Sequence, residues 1–345
     1  MKPLVIVTGA CGYIGSHTVI ELLRTQRFQV VSIDNFMNSD ASALDHIQAI
    51  TGVKVPHHTL DLCNLEATQG VFKHYQGQVA GVIHFAALKS VPDSVADPIL
   101  YYHNNLNSLI NVIKVCEEQG IKNLIFSSSC SVYGNTTELP VKETTPLEAA
   151  ESPYAYTKQI GEQILKDNAK TSKINTIALR YFNPVGADHT GLNGENPINP
   201  PTALVPIITQ VAAGLRPKIT VYGTDYSTRD GSCIRDYIHV SDIADAHIKA
   251  LDFLLNNKNT SNYQLFNLGT GNGVSVLEAL KTFETECGLK LNYELGPRRS
   301  GDVEAIYSDS SAAANLLGWV PQRTLADMLK SAWAWQQQIV KNKTT

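Results

Sequence analysis

The chain opens with an apolar, β-branched run, Leu4-Val5-Ile6-Val7-Thr8, which breaks into Gly9-Ala10-Cys11-Gly12-Tyr13-Ile14-Gly15 and then into residues 16–24 with helical apolar spacing. Strand, glycine turn and helix in direct succession are the opening of a βαβ unit. Gly-x-x-Gly-x-x-Gly is a variant of the turn that lets backbone N–H groups and a helix N-terminus approach a pyrophosphate. Glycines also serve ordinary turns, so the reading needs a second residue. Asp34, nineteen residues beyond Gly15 at the end of the next apolar run, supplies it. A carboxylate there accepts hydrogen bonds from the adenosine ribose hydroxyls of a dinucleotide. It favours NAD over NADP, because an acid repels a 2′-phosphate and no arginine follows in Asp34-Asn35-Phe36-Met37.

Similar runs recur at 30–34, 53–60, 79–85, 123–128 and 176–181, mostly separated by segments of helical spacing. Continuous apolar strands suit a parallel sheet covered on both faces. The expected fold class is therefore α/β, a Rossmann-type doubly wound parallel sheet with a smaller C-terminal α/β substrate lobe. A long helix is predicted over 100–119, stopped by Gly120, and another after Tyr154. Residues 183–206 hold five prolines and many Gly, Asn and Thr residues, and read as a long functional loop. The expected division is a dinucleotide-binding domain over 1–182 and a substrate lobe over most of 183–345, with 240–270 returning to the first sheet.

Composition narrows the function classes. No stretch approaches the roughly 18 uninterrupted apolar residues of a membrane helix, and the N-terminus lacks a signal-peptide pattern. A net charge of -4 with no basic stripe argues against nucleic acid. Six widely spaced cysteines indicate neither a zinc site nor a disulfide framework and suit the cytoplasm. No metal, membrane or nucleic-acid partner is expected.

The chemistry is carried by Pro153-Tyr154-Ala155-Tyr156-Thr157-Lys158. Tyr154 and Lys158 are four residues apart, on one face of a helix that Ser152 can cap and Pro153 can open. A nearby ammonium and a positive nicotinamide ring are expected to draw the phenol towards neutrality, making Tyr154 a usable base. Upstream, Phe126-Ser127-Ser128-Ser129-Cys130-Ser131-Val132-Tyr133-Gly134 is a strand that empties into small hydroxyl residues, and Ser129 is the candidate relay.

Together these residues resemble the extended short-chain dehydrogenase/reductase superfamily, and within it the UDP-glucose 4-epimerases. The matching segments fall in family order: residues 8–17 (TGACGYIGSH), 85–89 (FAALK), 127–134, 154–158, 180–187 (RYFNPVGA), 235–240 (RDYIHV) and 299–302. The resemblance implies inversion at carbon 4 of a UDP-hexose through a 4-keto sugar, with hydride passed to NAD and returned. It implies Tyr154 as base, Ser129 as relay and Lys158 as the residue gripping the nicotinamide ribose. It assigns the cofactor to Gly9, Gly12, Tyr13, Ile14, Gly15, Asp34, Asn35, Asn38, Ser39, Asp61, Leu62, Phe85, Ala86, Ala87, Lys89, Asn104 and Phe182, besides the catalytic three. It assigns the UDP-hexose to Asn183, Tyr222, Arg235, Arg299, Asp302 and Ile306, and it implies a homodimer formed through helices near 100–119 and after Tyr154.

Two departures stand out. Ala203 occupies the place of a usual asparagine, removing one hydrogen bond to sugar or phosphate. Ile306, where the family's residue lines the hexose pocket, is of intermediate bulk and implies preference for UDP-glucose and UDP-galactose over acetamido sugars. The competing readings are a UDP-N-acetylglucosamine 4-epimerase or dual specificity, a nucleotide-sugar dehydratase or decarboxylase, and a non-catalytic NAD-binding protein. Cys130 and Ser131, where dehydratases carry acids, speak against the second.

Overall fold

The computed structural model describes residues 2–299 and 302–344. Strands β1 (Leu4–Thr8), β2 (Gln29–Asp34), β3 (His57–Thr59), β4 (Val79–His84), β5 (Asn123–Ser129) and β6 (Asn175–Tyr181) alternate with helices α1 (Tyr13–Arg24), α2 (Ser42–Thr51), α3 (Leu65–His74), α4 (Val91–Ala96), α5 (Pro98–Gln119) and α6 (Pro153–Asn168). The remainder comprises β7 (Asn183–Val185), α7 (Leu204–Ala212), β8 (Ile219–Tyr222), β9 (Ile234–His239), α8 (Val240–Leu255), β10 (Tyr263–Leu268), β11 (Gly273–Ser275), α9 (Val276–Cys287), β12 (Tyr293–Gly296), β13 (Ala305–Ile306) and α10 (Leu325–Thr344).

Seven strands form a parallel sheet in the order β10-β6-β5-β4-β1-β2-β3. Alternation along β1 explains why its sequence is apolar at every position. Val5 and Val7 pack on one face with Val19 and Ile20 of α1 and Leu251 of α8, while Leu4 and Ile6 face Leu109 and Val112 of α5. The α5 helix begins where the Asp97 side chain accepts from Leu100 N at 3.0 Å, and stops at Gly120, whose φ of 69° suits a residue without Cβ. The chain then leaves the sheet after β6 and re-enters it as β10, which pairs with β6 along Tyr263–Leu268. A separate apolar core gathers Ile208 of α7, Val221 of β8, Phe283 of α9 and Leu329 of α10 around small sheets built on β8 and β9.

The structure differs from the sequence reading in two places. Of the run at 53–60 only His57–Thr59 is strand. This strand sits at the sheet edge, and Pro56, which has no N–H to donate, uses its carbonyl to accept from Ser32 N at 2.9 Å. The expected loop over 183–206 begins as strand, because β7 pairs in parallel with β9 from Asn183 to Val185. Its brevity and the proline at its centre hide it from pattern reading.

Candidate active site

Strand order reverses between β1 and β4. The chain runs outward from β1 to β3 and then places β4 on the opposite side of β1. A crevice opens outside the carboxyl ends of strands at such a point. The turn carrying Gly9, Gly12, Tyr13, Ile14 and Gly15 leaves β1 here, and the turn carrying Phe85, Ala86, Ala87 and Lys89 leaves β4. They touch closely enough to exclude side chains: a Cβ on Gly9, at φ +67°, would stand 2.7 Å from Ala86 N, and one on Gly15 would overlap the Gly9 carbonyl oxygen. Helix α1 starts at Gly12 with no capping side chain and no acid in its first turn, so its first N–H groups face the crevice with no side chain to satisfy them.

The other predicted cofactor residues surround this turn. Asp34, at the end of β2, accepts from Cys11 N at 2.9 Å, Phe36 N at 3.0 Å and Ser39 Oγ at 2.8 Å, which fixes the carboxylate at the crevice wall. Asn35, Asn38 and Ser39 follow it, and Asp61 and Leu62 follow β3. Asn104 lies on α5, and its side chain donates to Asn105 at 3.0 Å. Phe182 is buried just beyond β6.

The candidate reacting groups approach from the neighbouring elements. Ser152 caps α6 through Ala155 N at 3.2 Å, and Pro153 occupies its first turn. One turn beyond Lys158, Glu162 is buried against Arg180 of β6 at 2.8 and 2.5 Å and accepts from Ser128 at 2.5 Å. This charged clasp fixes the roll of α6 on the sheet and aims Tyr154 and Lys158 at the end of β5, where Ser129 stands. The Lys158 ammonium donates to Ser127 O at 2.8 Å and lies 5.9 Å from the Tyr154 ring centre. Burial pushes Lys158 down to about 8, against the pull of Glu162.

Burial pushes the Tyr154 phenol up to about 12, with the Ser129 hydroxyl pulling it down and Cys130 and Tyr101 adding to the rise. A positive nicotinamide ring beside the phenol would act in the opposite sense, since a neighbouring cation favours the phenolate.

At the far end, Arg235 of β9 and Arg299 converge on Asp302. Arg299 donates to both its carboxylate oxygens at 2.8 and 3.1 Å, and an Arg235 nitrogen lies 3.5 Å away. Arg235 also donates to Val303 O at 2.7 Å. The Arg299 guanidinium lies 5.5 Å from the ring centre of Tyr222, which is half-exposed at the end of β8. Asn183 opens β7, and Ile306 is buried in β13 with Val132 and Phe182. All of these predicted residues line one cleft of about 1830 Å³. A single drug-sized ligand needs about 300–1,000 Å³, so the space suits a dinucleotide and a second nucleotide together.

The model of the NAD dependent epimerase/dehydratase family matches residues 5–269. The chain belongs to that family. Its sequence is 44% identical over 343 residues to the UDP-glucose 4-epimerase of Drosophila melanogaster, with 97% of each chain covered. Among solved structures it is similar to the UDP-glucose-4-epimerase of Stenotrophomonas maltophila with bound NAD and formylated UDP-arabinopyranose, at TM-score 0.94, 41% identity and 99% coverage of both chains. It is also similar to the Bifidobacterium longum enzyme in complex with NAD+ and UDP, at TM-score 0.91 and 42% identity, with 97% of this chain and 98% of that one covered. The family's cofactor is NAD, and the residues present fit it: a side-chain-free glycine turn, an uncapped helix start for the pyrophosphate, and a carboxylate set for a ribose.

Cleft-lining residues that sequence reasoning passed over include Tyr181, Glu195, His46 and Trp335. Tyr181 had a signal, since it ends a strand on the ligand side, and its hydroxyl bonds that of Ser127. Glu195 and Trp335 had none, because they meet across 140 positions of sequence. No group of three or more His, Cys, Asp or Glu gathers as a metal site among the described residues, and none of their helices is long and apolar enough to cross a membrane.

Proposed function

We propose that this chain is an NAD-dependent 4-epimerase interconverting UDP-glucose and UDP-galactose. The observation that carries the reading is a single cleft with a part-buried tyrosine and serine and a buried lysine at one end and two arginines at the other. Arg235 and Arg299 suit a diphosphate through forked hydrogen bonds, and Tyr222 offers a face for uracil. Anchoring the nucleotide by its charges leaves the uncharged hexose free to turn over between two presentations of carbon 4. When bound, NAD takes hydride from carbon 4 and returns it to the opposite face, and it brings positive charge beside the phenol. Tyr154 takes the 4-hydroxyl proton, with Ser129 between them as relay, and gives it back after the sugar has turned. Lys158 supports the phenolate and the nicotinamide ribose. Burial excludes water, so the 4-keto sugar is not lost to side reactions.

The two lobes divide the work in this reading. Residues 1–182, joined by 240–270, hold the dinucleotide, a division supported by the pairing of β10 with β6. The rest of 183–345 holds the nucleotide sugar. Elimination is disfavoured, because burial pushes the Cys130 thiol up to about 12 and Ser131 offers no acid. Ile306 closes the hexose pocket with a branched side chain, which supports slower turnover of UDP-N-acetylgalactosamine than of UDP-galactose. A homodimer is proposed through α4, α5 and α6, where Val95 and Ile99 are 62% and 74% exposed beside Leu100 and Tyr156. Six free cysteines support work in the cytoplasm.

The test is product analysis of purified protein with UDP-galactose and no added reductant. UDP-glucose is expected, and a product short of water or carbon dioxide would contradict the assignment. Tyr154→Phe is expected to lower turnover about 10³-fold, within the range for loss of a general acid–base group, while NAD stays bound. Undiminished turnover would remove Tyr154 from its role.

A further inference from the structure

Residues 186–195 are tied at five points to the elements that border the dinucleotide end of the cleft. The Tyr13 hydroxyl donates to Gly186 O at 2.6 Å, Asn193 donates to Ser16 Oγ at 3.0 Å, and Arg24 pairs with the buried Asp188 at 2.7 Å. These three partners lie on α1, the helix that starts in the phosphate turn. At the end of the segment, the Glu195 carboxylate lies 3.1 Å from the Lys89 ammonium, and the Glu195 carbonyl accepts from Trp335 Nε1 at 3.0 Å. Trp335 sits on α10, edge-on to His46 of α2 at 5.4 Å. Its ring lies so close to Gly194 that a Cβ there would overlap the indole. The segment thus crosses from α1 to the C-terminal helix, its last three residues, Asn193, Gly194 and Glu195, line the cleft, and Glu195 is gripped from both sides.

None of these ties serves the chemistry at carbon 4. Glu195 touches Lys89, which belongs to the cofactor set, and the Trp335 contact joins the substrate lobe to α2 behind the ribose-binding loop. We propose that residues 186–195 form a strap that retains the dinucleotide, with Glu195, held between Lys89 and Trp335, as the positioning residue that keeps it shut. The proposal rests on the NAD reading above. With the strap shut, the cofactor leaves only after a local opening that breaks a charge-assisted hydrogen bond and lifts the loop from the indole, so release is slow while the sugar end of the cleft stays accessible.

The test uses purified holoprotein mixed with excess isotope-labelled NAD, with exchange of the bound cofactor followed by rapid desalting and mass spectrometry. Glu195→Gln removes the charge on the latch, and Trp335→Phe removes the indole donor while keeping an aromatic ring. Each is expected to exchange NAD about tenfold faster than the parent, the size of effect that losing one hydrogen bond of this kind produces. Melting temperatures of the same proteins separate latch from scaffold: a lowered melting temperature with parental exchange would overturn the strap and leave the epimerase reading intact. A parent protein that neither carries NAD nor takes it up would overturn both.

Discussion

Burial holds the Lys158 ammonium at a pKa of about 8, below its ordinary 10.5, because the side chain crosses under the sheet end to reach Ser127 O with little solvent around it. The charged form is disfavoured in the fold, so below pH 8 the protein bears the full penalty of a buried cation. Between pH 8 and 10.5 the unfolded chain keeps a proton that the folded chain has shed, and the penalty fades. Lys158→Met, in protein freed of nucleotide, is therefore expected to be more stable than the parent by about 2 kcal/mol at pH 7, after allowance for the lost hydrogen bond. That advantage should shrink as pH rises towards 10.5 while epimerisation is lost throughout. Melting temperatures across this range would refute the account if the difference between the two proteins did not change with pH. At this scale the sequence was readable where spacing is geometry: Tyr154 and Lys158 share a helix face because they are four positions apart. The pKa of the phenol was not readable, since it depends on burial in the folded chain and on electrostatic influence from residues as distant in sequence as Tyr101.

Ala203 is the residue that precedes α7, with the extended backbone of an N-cap and no side chain able to accept from the helix start. Asparagine is among the residues best suited to that position. Ala203→Asn is expected to stabilise the protein by about 1 kcal/mol and raise its melting temperature by about 2 °C. An unchanged or lower melting temperature would show that the side chain clashes with the cleft wall. Elements whose pattern is long declared themselves: β1, β6 and α5 carry enough consecutive signal to be read from composition and spacing alone. Elements of three residues did not. β3 and β7 exist because a neighbouring strand offers partners, and neither His57-His58-Thr59 nor Asn183-Pro184-Val185 has a preference of its own strong enough to announce it.

At the scale of the whole molecule, Val91, Val95, Ile99 and Leu100 form an exposed apolar face on α4 and α5, with Val91 and Val95 also bordering the cleft. In the proposed homodimer a second copy would bury it across helices, and stable association asks for about 1,000 Å² or more of total area. Ile99→Glu is expected to convert a dimer to a monomer in sedimentation velocity, with turnover per chain largely kept, because Ile99 itself does not line the cleft. A parent already monomeric at micromolar concentration would refute the dimer. The cleft itself was partly legible at this scale: strand-end residues on the ligand side could be placed together, whereas the strap and the Trp335 contact arise only when α10 folds back over the first half of the chain.

The re-entry of the chain into its first sheet also governs how the protein is made. A ribosome that has released residues 1–182 has exposed six strands, and the last of them, β6, presents a row of bare N–H and C=O groups until Tyr263–Leu268 arrives some eighty residues later. At about 5–20 residues per second that is a wait of several seconds. Through that interval the nascent sheet has a long apolar border that any neighbouring strand can join, so chaperone supply and translation speed are expected to limit the yield of soluble protein more than the stability of the finished fold.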